Sequence, residues 1–171
     1  MIIKKGRGTM VNRPKLEIPK TKIEVWHDIV SIAILAGTFI YLYFVWPTLP
    51  ERIPIHFNGL GEVDGWGSKS SLFMLPIISV VLYVGLTILG YYPHTFNYLR
   101  EITEENAHRQ YVIARMMISW MKIEIMVLLS YIEWQVVFGN MKGLGGGFLP
   151  VILIVFLGTI MFYAVRSLRT P

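Results

Sequence analysis

Three stretches of this chain carry no charged side chain: Ile29 to Trp46, Leu72 to Tyr92 and Phe148 to Val165. Each is about 20 residues long, the helix length that matches a hydrocarbon core of roughly 30 Å. A hydrophobic content of 54% against 16% charged points the same way, toward a membrane protein rather than a soluble domain. The chain has no cysteine, which excludes disulfides, thiolate metal sites and cysteine nucleophiles.

Breakers and caps divide the chain into four helices. The first is expected from near Glu24 to Pro47 and the second from about Ser70 to Tyr92, with Pro93 closing it. Thr103 can cap a third helix running from Glu104 to Phe138, with Glu104 and Glu105 facing the positive end of its dipole. GNMKGLGGG, from Gly139 to Gly147, reads as a flexible turn, and Pro150 suits the first turn of a fourth helix ending at Arg166 and Arg169. The spans fall at about 28–47, 71–92, 112–138 and 148–165.

The front end is basic, with Lys4, Lys5, Arg7, Arg13, Lys15, Lys20 and Lys22. No small-x-small cleavage site follows the first apolar run, so a signal peptide is the lesser reading and a cytoplasmic tail over 1–23 the greater. Without interleaved aromatics that tail has no nucleic-acid signature. With the N-terminus inside, those seven residues join Arg100, Arg109, Arg115, Arg166 and Arg169 on one side, while Arg52, Lys69 and Lys142 fall on the other. The bias is positive-inside. The expected fold is all-α: a multi-pass transmembrane four-helix bundle in one membrane domain over 24–171, both termini cytoplasmic, with an ordered extracytoplasmic loop over 47–69.

That loop is the stretch most like a site. WPTLPERIPIHFNGLGEVDGWGSK, from Trp46 to Lys69, packs prolines, glycines, acids and one histidine into a connector that needs only a few residues. Pro50, Pro54, His56, Phe57, Asn58, Gly61, Asp64 and Lys69 within it resemble the signature of a bacterial membrane domain of unknown function, family 1648. This domain forms the N-terminal part of the SdpI-type immunity proteins, which protect bacilli from their own toxic peptide. FNYLREITEENAHRQY, from Phe96 to Tyr111, resembles the cytoplasmic stretch of short stand-alone relatives, through Asn97, Thr103, Glu105, Asn106, Arg109 and Tyr111. The resemblance implies a bacterial inner-membrane location and a non-enzymatic role in immunity to, or sensing of, membrane-active peptides or envelope stress. The C-terminal part of the immunity proteins is not evident.

The third helix is the polar one. His108, Arg115, Ser119, Lys122, Ser130 and Glu133 fall near one line at 100° per residue, while Glu124 and Gln135 lie opposite. Lys122 and Glu124 are expected near mid-membrane, where each charge costs about 3 kcal/mol, so the stripe should face the bundle interior. The other spans offer no acid in their central turns for Lys122, which leaves water, backbone carbonyls, a residue folded in from a loop, a ligand or another subunit as its partner. Arg115, Ser119, Lys122, Glu124 and Glu133 read either as a proton or ion relay or as a network that fixes packing. His56 with Asp64 reads either as a cation or peptide site or as hydrogen bonding to the loop backbone. No H-E-x-x-H, G-x-S-x-G or phosphate-cradling loop is present, and no catalytic residue, metal or cofactor is assigned. The expected partners are the bilayer and a membrane-active peptide or a partner membrane protein. Two alternatives stand: a small transporter or intramembrane enzyme using the buried Lys/Glu network, and an accessory subunit of a larger complex.

Overall fold

The computed structural model describes residues 13–138 and 143–171. Its elements are α1 (Lys22–Val45), β1 (Arg52–Phe57), β2 (Val63–Ser68), α2 (Met74–Gly90), α3 (Ala107–Phe138) and α4 (Phe148–Arg169). Short 3-10 turns lie at Trp46–Thr48, Lys69–Phe73 and Pro93–Thr95. Lys4, Lys5, Arg7 and Lys142, counted in the charge asymmetry, and the first half of the GNMKGLGGG turn lie outside the described residues.

Four helices are expected and four are found, with informative differences at their ends. α1 begins at a capping box: the Thr21 hydroxyl accepts from the Glu24 amide at 3.2 Å, and the Glu24 carboxylate accepts from the Thr21 amide at 2.7 Å. Thr103 and Asn106 close a similar reciprocal pair, at 3.4 and 3.0 Å, but around a turn that precedes α3. The expected start at Glu104 is therefore corrected to Ala107, and Glu104 and Glu105 sit exposed in that turn rather than in the helix.

Lys22–Thr48, Lys69–Gly90 and Phe148–Arg169 are long and apolar enough to cross a membrane. α3 is longer, 32 residues or about 48 Å, and far more polar. Its place in the fold accounts for that. α1, α2 and α4 each pack against α3, which makes it the central helix. α1 and α3 run parallel in one register: Glu24 meets Arg115, His27 meets Ser119 and Thr38 meets Ser130.

The all-α expectation is corrected between α1 and α2, where the connector forms an antiparallel two-stranded hairpin. β1 buries Ile53 and its neighbour Pro54 and leaves Ile55 exposed, and Asn58 turns the chain. The Asn58 side-chain carbonyl accepts from the Leu60 and Glu62 amides at 2.9 and 3.0 Å, and the Gly61 amide donates to the Asn58 carbonyl at 2.9 Å. Ile53, Leu49 and Leu72 then join Leu42 of α1 and Val136 of α3 in one buried cluster, which seats the hairpin on the end of the bundle. Ile53 is 1% exposed, and its burial contributes about 2 kcal/mol. At the opposite end Ile102, Ala107 and Tyr111 form a second cluster, joined by Ile18 and Tyr98.

Candidate functional site

The hairpin presents a His–Asp pair to solvent. His56 Nδ1 and a carboxylate oxygen of Asp64 lie 2.5 Å apart, with side chains 71% and 42% exposed. The backbone makes this possible. His56 pairs with Gly65 across the strands, and a Cβ on Gly65 would lie 2.8 Å from the His56 Cβ, so only glycine lets the imidazole lie over β2 toward Asp64. In place of the hydrogen bonding to loop backbone that was one of the two readings, the two side chains bond each other.

The other motif residues hold the hairpin in place. Asn58 and Glu62 are joined at 2.9 Å beside the turn. Gly61 has φ +75°, and its carbonyl accepts from the Leu144 amide at 2.7 Å, tying the hairpin tip to the segment before α4. Lys69 pairs with Glu51 at 2.7 Å and lies 5.3 Å from the centroid of Trp46, clamping the hairpin base. Pro54 is fully buried against the bundle, Phe57 is half-buried, and Pro50 is exposed. Among the described residues, no three His, Asp or Glu side chains converge as metal ligands would.

The polar line of α3 is packed against α1. Arg115 donates to Glu24 at 3.1 and 2.9 Å and to the Ile18 carbonyl at 2.5 Å. His27 and Ser119 are 2.9 Å apart, and Thr38 meets Ser130 at 2.8 Å. Lys122 donates to Asp28 and, at 3.1 Å, to Thr87 of α2. Its partner is thus an acid from the second turn of α1, outside the central turns and not among the partners expected for it. The Lys122 ammonium lies level with the second turn of α1, not at mid-bundle, because a helical side chain leans toward its own N-terminus. Lys20, outside the helices, also pairs with Asp28 at 2.6 Å, and that carboxylate raises the Lys20 pKa while partial burial opposes it.

The remaining acids stand apart from this line of pairs. Glu124, on the opposite face, accepts from Thr159 of α4 through one oxygen. Glu133 is 1% exposed, and among the described residues neither of its oxygens has a hydrogen-bond partner. His108, placed on the stripe by angle, is exposed. Asp28, Glu24, His27, Thr87 and Thr159 are the contributors that sequence reasoning missed. The T-x-x-E of Thr21 to Glu24 was an available signal for the cap of α1, and so for one of the two roles of Glu24.

The third motif closes the far end. Asn106 is buried, and besides its exchange with Thr103 it donates to the Glu101 carbonyl at 3.1 Å. The Tyr111 hydroxyl, on a fully buried ring, donates to the Pro14 carbonyl at 3.0 Å. Arg13 donates to the Phe96 and His94 carbonyls at 2.5 and 3.2 Å and lies over Tyr98, so the last part of the basic tail is laid along this connector. Asn97, Glu105 and Arg109 are exposed.

The fold and sites define a four-helix bundle capped at one end by a hairpin. Residues 33–80, covering the second half of α1, the whole hairpin and the start of α2, match the family described as Domain of unknown function (DUF1648). This is the family that the loop motif resembles. The chain is also 31% identical over 78 residues to an uncharacterized protein of Archaeoglobus fulgidus, with 41% of each chain covered. It therefore spans about two fifths of the length of that relative. No solved structure matches the chain.

Proposed function

We propose that the chain is a multi-pass protein of the cell membrane, with four spans and both termini cytoplasmic, that recognises a membrane-active peptide on its outer hairpin and catalyses no reaction. Three apolar helices and a polar fourth, against which each of them packs, support the spans. The observation that carries the recognition reading is the exposed His56–Asp64 pair, displayed on a hairpin pinned at its tip, its base and its underside. Glu62 lies beside the pair, and Ile55, Leu60 and Trp66 are exposed around it. Acids interspersed with apolar side chains complement a cationic, amphipathic peptide. The SdpI-like immunity role and the bacterial inner membrane are the finer form of this reading. The archaeal origin of the matched relative extends the setting to cell membranes more broadly.

Arg115 and Lys122, both paired within the chain, take a packing role in this reading, and Lys122 has no need of a partner subunit's acid. The test is a deletion strain challenged with cationic membrane-active peptides and rescued with variants. His56→Ala and Asp64→Asn are expected to accumulate at wild-type level yet lose at least tenfold in protective effect, the scale of one charge-assisted hydrogen bond. Full rescue by both variants would exclude the hairpin as the recognition surface.

A further inference from the structure

Between α1, α2 and α3, toward the end of the bundle opposite the hairpin, lies a small chamber lined by Lys20, Glu24, Asp28, Arg115 and Lys122. Its volume is about 30 Å³, room for an occupant of about the size of one water. A wider vestibule of about 500 Å³ adjoins it, walled by Leu16, Ile18, Pro19 and Pro93. Gly90, Tyr91 and Arg115 line both spaces.

Two features of the chamber call for one more negative group. The first is charge, since three cations face two carboxylates. Arg115 and Lys122 are 7% and 5% exposed, so solvent does little to offset the excess. The second is hydrogen-bonding capacity. Every carboxylate oxygen already accepts: Glu24 from Arg115 and the Thr21 amide, Asp28 from Lys122 and Lys20. The cations have donors left over, for an ammonium carries three N–H groups and a guanidinium five. Among the described residues Lys20 gives one, to Asp28, and Arg115 gives three, to Glu24 and the Ile18 carbonyl. Lys122 is closer to satisfied, with Asp28, Thr87 and the Tyr83 ring around its ammonium.

We infer that this chamber is a binding site for one small monovalent anion, of about the size of chloride, held by Lys20, Arg115 and Lys122 and entering through the vestibule. Charge-assisted N–H donors supply the affinity, and the volume sets the limit on size. A phosphate or an organic acid is too large for the chamber and stops in the vestibule. Glu17, on the vestibule wall, is exposed, and salt screens its charge. The Arg115–Glu24 and Lys122–Asp28 pairs keep their packing role. The site is independent of the peptide role given to the hairpin, and a failure of one leaves the other standing.

The test follows the thermal unfolding midpoint of the full chain in a nonionic detergent while chloride replaces gluconate at constant ionic strength. A ligand that binds only the folded state raises the midpoint along a saturating curve, and that curve is expected here. Lys20→Gln leaves two cations facing two carboxylates and spares the Lys122–Asp28 pair. Its half-saturating chloride concentration is expected to rise about tenfold or more, the scale of one charge-assisted hydrogen bond. Lys20→Ala serves the same purpose where the glutamine variant does not accumulate. Lys15→Gln, which removes an exposed cation lining neither space, is expected to respond as the wild type does. A midpoint that chloride leaves unmoved, or raises without saturating, would overturn the inference and leave a chamber filled by water. Equal responses in the wild type and the Lys20 variant would overturn it too. So would a loss in Lys15→Gln as large as that in Lys20→Gln, because the anion would then belong to the basic end as a whole.

Discussion

At the scale of single residues, burial makes some of these charges indispensable and others dispensable. Arg115 and Glu24 are each about 7% exposed and satisfy each other through two contacts, while Glu24 also closes the cap of α1. Arg115→Met would leave Glu24 without its cation, and breaking a buried pair from one side costs about 3–5 kcal/mol. Arg115→Met is therefore expected to lower the unfolding midpoint in detergent sharply. The double variant with Glu24→Gln is expected to recover part of that loss, which a double-mutant cycle would measure as coupling. Glu133 is the opposite case. Its carboxyl is buried without a partner among the described residues, so Glu133→Leu removes a desolvation cost of about 1–3 kcal/mol and keeps much of the volume. The expected result is a midpoint equal to or above that of the wild type. A clear drop would mean that Glu133 is satisfied by bound water or an ion.

At the scale of elements, the four helices were legible because charge-free length, prolines and end caps are local signals. The hairpin was not. Its alternation is interrupted by irregular pairing between Pro54 and His56 and again between His56 and Phe57, and three of the residues in its two strands are proline or glycine. The partner of Lys122 was hidden for a related reason. Asp28 borders the apolar run, and only the parallel alignment of α1 with α3 carries it to Lys122. Gly61, by contrast, belongs to the motif and proves to be the contact between hairpin and α4 segment. A Cβ there would lie 2.5 Å from the Gly145 carbonyl oxygen, and the residue already sits at positive φ. Gly61→Ala is expected to cost more than about 1 kcal/mol and to free the hairpin tip. Limited proteolysis would then cut near Leu60 in the variant and spare the wild type.

At the scale of the whole molecule, the basic residues and the hairpin lie at opposite ends of the bundle. Arg13, Lys15, Lys20, Arg100, Arg109 and Arg169 gather around the start of α1 and α3 and the end of α4, while Arg52 and Lys69 accompany the hairpin. Basic segments stay on the cytoplasmic side of a membrane, so the orientation expected of the proposed four-span protein has its hairpin outside. The absence of cysteine from the sequence makes the point directly measurable. Leu60 is 65% exposed at the hairpin turn and Leu99 is 66% exposed in the connector between α2 and α3. Neither carries the packing of its turn, whereas Asn58 does, so cysteines at 60 and 99 test sidedness without unfolding the hairpin. A membrane-impermeant maleimide is expected to label Leu60→Cys on intact cells and Leu99→Cys only after permeabilisation. The reverse pattern would place the His56–Asp64 pair in the cytoplasm, out of reach of any peptide arriving from outside.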